Sequence, residues 1–81
     1  MGYQDNIRKK IMAEGMEKTP EYAKKKADDY KKSANINYRL YKTAATKEEA
    51  QSRYKDSQNA YAKAVAWTEV LAAILRKLSG K

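Results

Sequence analysis

Thr43-Ala44-Ala45-Thr46-Lys47-Glu48-Glu49, residues 43–49, decides how this chain folds. The stretch holds neither glycine nor proline, so nothing in it forbids a helix from running straight through. Thr46 followed three residues later by Glu49 is nevertheless a capping-box pattern, in which each residue's side chain bonds the other's backbone N–H at a helix start. Hydrophobic periodicity points the same way. Upstream, a stripe of Ala23, Ala27, Tyr30, Ala34, Asn37, Tyr41 and Ala44 advances by alternating steps of four and three. Continued unbroken, it would reach Glu48, Gln51 and Lys55, all polar. The stripe that follows is Ala50, Tyr54, Ser57, Tyr61, Ala64, Thr68, Leu71, Leu75 and Leu78. The phase jumps at 44–46, and a chain that turns back there forms an antiparallel hairpin. Ala27 then faces Ala64, Tyr30 faces Tyr61, Ala34 faces Ser57 and Asn37 faces Tyr54, so small layers alternate with tyrosine layers.

Working outward, the second helix has a clear start. Thr19 caps it, Pro20 suits the first helical position, and Glu21 complements the positive end of the helix dipole. The third helix ends at Ser79 and Gly80. Upstream, Tyr3, Ile7, Ile11 and Met12 share one face of a short first helix, and Gly15 suits a left-handed C-terminal cap. The second half of the third helix is apolar beyond the hairpin seam, at Val65, Trp67, Val70 and Ile74, and the first helix is its natural cover. The expected fold is one all-α domain spanning 1–81. It is an antiparallel helical hairpin, with long helices over about 20–44 and 47–78 and a short N-terminal helix over about 5–14 packed at its open end.

Composition limits the chemistry. The 81 residues contain no cysteine and no histidine, which removes disulfides, the usual zinc ligands, the commonest general base and the best nucleophile. The carboxylates are scattered among lysines, and no phosphate loop, metal-ligand cluster or catalytic dyad stands out. No enzymatic activity, cofactor or small-molecule substrate is expected. The lack of cysteine fits a reducing compartment, and a cytoplasmic location is the expectation. The most apolar stretch, Ala60–Leu75, is interrupted by Lys63 and Glu69 and is too short to span a bilayer. A membrane-surface role for the helix end with Arg76, Lys77 and Lys81 is the weaker expectation.

Eighteen basic residues against ten acidic give a formal net charge of +8, which favours an acidic protein or a nucleic acid as partner. Lys18, Lys25, Lys32 and Arg39 recur every seven residues on the outer face of the second helix, flanked by Lys24 and Lys31 and extended by Lys42. Successive members sit about 10 Å apart, a spacing that reaches backbone phosphates or a row of carboxylates. Internal pairs Glu21–Lys25 and Asp28–Lys32 have the favourable acid-first spacing and would dilute this field. Of the seven tyrosines, Tyr3 lies on the apolar face of the first helix, and Tyr30, Tyr41, Tyr54 and Tyr61 fall on the seam and read as core, which leaves Tyr22 and Tyr38 for a partner. The expectation is a small basic adaptor or inhibitor contacting an acidic protein surface, a form that fits an accessory protein of a phage or mobile element. The alternative is a sequence-tolerant DNA- or RNA-binding protein using the basic face of the second helix. The seam is rich in alanine, so self-association through the apolar end of the third helix stays open.

Overall fold

The computed structural model describes the backbone of residues 2–80 and the side chains of residues 5–80. The side chains of Tyr3 and Lys81, two residues of the sequence reading, therefore lie outside the described residues. Three helices follow in order: α1 (Gly2–Gly15), α2 (Pro20–Lys42) and α3 (Lys47–Leu78). α2 and α3 pack antiparallel along most of their lengths, and α1 packs on α3 near the open end of the hairpin. The molecule is a slab of 52 × 25 × 14 Å, barely more than one helix thick.

The stops form where the local chemistry puts them. The Tyr22 N–H donates to Thr19 Oγ1 at 3.1 Å, and Pro20 occupies the first turn of α2. The Glu49 N–H donates to Thr46 Oγ1 at 3.1 Å, with Thr46 extended at φ −125° and ψ 160°. α2 closes at Thr43, whose N–H and hydroxyl both donate to the Arg39 carbonyl at 3.1 Å. Register is fixed deep in the seam. The Ser57 hydroxyl, buried, donates to the Ala34 carbonyl at 3.0 Å, which is the pairing that the alternation of small and tyrosine layers requires.

Two expectations are corrected. Gly15 is not a left-handed cap; among the described residues only Gly80 has a positive φ, at +83°. Gly15 is buried where α1 crosses α3. A Cβ there would stand 2.7 Å from Val70 Cγ1 and 3.0 Å from Trp67 Cζ3. The glycine permits a close helix approach and supplies no turn.

The second correction is the phase of α3. Ser57, Ala64 and Leu71 face inward as expected, and Trp67, Val70 and Ile74 are buried in the core that α1 joins, as expected; but Ala60, Trp67 and Ile74 hold the inward places that the seam reading gave to Tyr61, Thr68 and Leu75, and Val65 is exposed. Each shift is one residue, or about 100° around the helix. The cause is that α3 serves two partners, so its buried arc turns from α2 toward α1. Trp67, Val70 and Ile74 join Ile11 and Ala23 in the core, with Ile7, Met12 and Met16 packed against it. Leu75 and Leu78 are exposed for another reason. By the register that sets Ala34 against Ser57, the first turn of α2 lies opposite Leu71, so nothing of α2 reaches them. The tyrosines follow the same rotation. Tyr30 is half-buried, while Tyr41, Tyr54 and Tyr61 are exposed, Tyr61 at 61%. Tyr54 meets Tyr41 at 5.0 Å between ring centroids, and Asn37 turns back to donate to the Ser33 carbonyl.

α1 is further tied to α3 by Arg8 Nε on Glu69 Oε1 at 2.6 Å. The hydrogen bond that Arg8 donates to Glu69, and then the charge of Glu69, raise the Arg8 pKa further above its already high value, so the guanidinium stays charged throughout any working pH range. Both side chains are well exposed, so the pair orients α1 more than it stabilises the fold.

Candidate partner-binding surface

α2 is held along one side only, by α3, so the rest of its circumference faces outward. Lys18, Lys24, Lys25, Lys31, Lys32, Arg39 and Lys42 are all exposed. Lys18 lies in the α1–α2 connection, where its N–H donates to the Gly15 carbonyl at 2.9 Å. Lys25, Lys32 and Arg39 occupy the outermost face, opposite Ala23, Ala27 and Ala34 in the seam.

The expected dilution by internal ion pairs is smaller than the sequence spacing allows. Glu21–Lys25 and Asp28–Lys32 do not form; Asp28 Oδ2 takes Lys24 Nζ at 3.1 Å instead. Asp28 sits one turn from both lysines and engages the earlier one. Among the described residues, Lys25, Lys32 and Arg39 are left without an acidic partner. The Lys24 pair is itself exposed on both sides and is worth little.

Neither tyrosine assigned to a partner is free. The ring of Tyr22 meets Trp67 edge-on, with centroids 5.6 Å apart and planes at 62°. Lys18 and Lys26 place their ammonium groups 5.3 and 5.6 Å from its centroid. Tyr38 leans on Tyr41 at 5.7 Å and carries Lys42 at 5.0 Å. With Tyr54, these rings form a row at the closed end of the hairpin. The hydroxyl of Tyr54 accepts from Gln58 Nε2 at 2.8 Å. Both tyrosines keep about two-fifths of their surface exposed, so they present edges to a partner from fixed positions.

Lys26 and Lys63 are absent from the sequence-derived surface, yet both are half-buried. Their ammonium groups lie 5.9 and 5.5 Å from the centroid of one ring, Tyr30. One signal was present in the sequence: Lys26 stands four residues from both Tyr22 and Tyr30, so a helix stacks the three on one flank.

Among the described residues, no cluster of carboxylates is placed to hold a metal ion, and no helix is long and apolar enough to cross a membrane. Comparison with protein-family models, with curated proteins and with solved structures finds no match to this chain.

Proposed function

We propose that the protein acts by binding, as a small basic helical adaptor or inhibitor that contacts an acidic protein surface. One observation carries this reading: seven basic side chains stand exposed on and just before α2, and among the described residues only Lys24 forms an ion pair. A rigid helix that displays unpaired cations at two-turn intervals suits a row of carboxylates, and rim charges of this kind set association rate and partner choice. The tyrosines among them add immobilised contact area at low entropic cost.

Nucleic acid is the second reading, favoured by the single file of Lys25, Lys32 and Arg39 with a rise of about 10 Å per step. Salt separates the two. Neutralising about five phosphates gives a log–log slope of binding against salt near −4 or −5.

The test is capture from a nuclease-treated lysate by the full chain and by its Lys25→Glu, Lys32→Glu variant. The expected result is a discrete protein that survives nuclease and is lost from the variant at unchanged helicity. Loss of all captured material on nuclease treatment, together with steeply salt-dependent binding to a DNA or RNA oligonucleotide, would transfer the function to nucleic acid. A captured protein that ignores the two charge reversals would move the contact off this face.

A further inference from the structure

α1 and α2 each pack along α3, and between them runs a trough of about 460 Å³. All three helices supply its walls. Lys10 comes from α1, Lys26 from α2 and Lys63 from α3, with Ile11 and Trp67 below them. Among the described residues, Glu14 is the only carboxylate lining it, and it pairs with none of these lysines.

These cations differ from those on the outer face. Lys26 and Lys63 are half-buried and converge on the ring of Tyr30, and Lys26 also lies over Tyr22. Half-burial of the two side chains and attraction of their ammonium groups to the rings hold the charged ends in place, so less freedom is lost when a ligand arrives. Both ammonium groups lie within 5.9 Å of one ring centroid and line the same trough, close enough for one acidic segment to meet both. The floor beneath is apolar. The chemistry that fits is a carboxylate carried on an apolar body.

We propose that the trough docks an acidic amphipathic segment of the partner protein, with its apolar residues on the half-buried Ile7 and the Tyr22 edge and its carboxylates on Lys10, Lys26 and Lys63. This rests on the reading of the chain as a binder of an acidic protein and names where that protein's acidic segment lies. The geometry disfavours the other occupants. Bases need open ring faces, but Trp67 is only 3% exposed and Tyr30 already lies beneath two ammonium groups. A second copy of this chain would bring its own net charge of +8 toward a cationic trough.

Trp67 is the only tryptophan and lies at the floor, so its fluorescence reports occupancy directly. The probe is a synthetic helical peptide of about 15 residues, long enough to hold some helix, with leucine on one face and glutamate on the other. Titrated into the full chain, it should shift Trp67 emission to saturation, and the same peptide with glutamine for glutamate should not. Lys26→Gln with Lys63→Gln keeps two methylenes of each stem and a polar end and removes the charges. It should weaken binding by about tenfold or more, whereas Lys47→Gln with Lys55→Gln, exposed on α3 outside the trough, should weaken it by less than about threefold. The assignment is overturned if the two pairs of substitutions act equally, if the glutamine peptide binds as well, or if Trp67 responds to a single-stranded oligonucleotide and not to the peptide. A lysate partner that is lost with Lys25→Glu, Lys32→Glu but still held by Lys26→Gln, Lys63→Gln would leave the binding function standing and remove the trough from it.

Discussion

Replacing Gly15 by alanine should destabilise the protein, against the general rule for helices. Gly→Ala in a helix interior gains up to about 1 kcal/mol from propensity and a less flexible unfolded chain. Gly15 is the last residue of α1, so that gain is at its smallest here. Against it stands the added methyl, 2.7 Å from Val70 Cγ1 and 3.0 Å from both Val70 Cγ2 and Trp67 Cζ3. Neither neighbour yields easily: Val70 is fully buried and stiff at χ1, and Trp67 is 3% exposed and fixed by Tyr22. Overpacking of this kind costs about 1–3 kcal/mol, so the net loss should be about 1 kcal/mol, or about 4–8 °C in Tm for a domain of this size. Thermal and urea unfolding followed by far-UV circular dichroism will measure it. A double-mutant cycle makes the cause specific. Val70→Ala alone opens a cavity, but combined with Gly15→Ala the new methyl fills part of it, and the coupling should favour the double variant by about 1 kcal/mol. A Gly15→Ala protein that melts at or above the parent temperature, with no coupling to Val70, would show that α1 does not approach α3 as closely as described.

Other substitutions probe the remaining supports. Ile74→Ala should cost about 2–5 kcal/mol, while Leu75→Ala, one residue on, should stay within about 0.5 kcal/mol; equal losses in urea unfolding would restore the unrotated phase of α3. Ser57→Ala removes the only side-chain bond across the middle of the hairpin and should cost about 1 kcal/mol, with reduced amide-exchange protection around Ala34 as the local readout. Thr46→Ala should cost about 1 kcal/mol through loss of the α3 cap, and Thr46→Asp should restore it.

The parts of this fold that could be read in advance are those set by neighbours in sequence. Thr19 with Pro20, and Thr46 with Glu49, carry their capping chemistry within a single turn, and both helices start where they say. The hairpin register was legible because alternating small and bulky positions on two helices admit few pairings, and Ser57 against Ala34 is one of them. The phase of α3 was not legible. Steps of four and three leave two choices at every second position: Ala60 or Tyr61, Trp67 or Thr68, Ile74 or Leu75. The choice depends on where α1 lies; the apolar run at Trp67, Val70 and Ile74 marked the ground that α1 covers, but not that Tyr61, Thr68 and Leu75 give up the seam for it. Gly15 misled for a related reason, since a glycine at a helix end reads as a cap unless the helix packed against it is known. The exposed cations were found, but the convergent ones were missed. Lys63 becomes a neighbour of Tyr30 only once α3 has turned.

The rotation of α3 also explains why binding chemistry and stability meet on one side of the molecule. A slab 14 Å thick with an alanine seam has little apolar volume to bury, so its aromatic residues remain near the surface. Lysine ammonium groups gather over them: Lys18 and Lys26 over Tyr22, Lys26 and Lys63 over Tyr30, and Lys42 over Tyr38. Rings left near the surface thereby hold cations at fixed points around them, and the half-buried Lys26 and Lys63 add the packing of their stems. The outer line of Lys25, Lys32 and Arg39 has no such second duty, because no ring lies beneath it. Charge removal that spares the stem should therefore separate the two roles in the trough, lowering affinity while leaving the melting temperature nearly unchanged. Shortening the stem should lower both. On the outer face either change should act on binding alone, and that contrast distinguishes a built site from a merely basic surface.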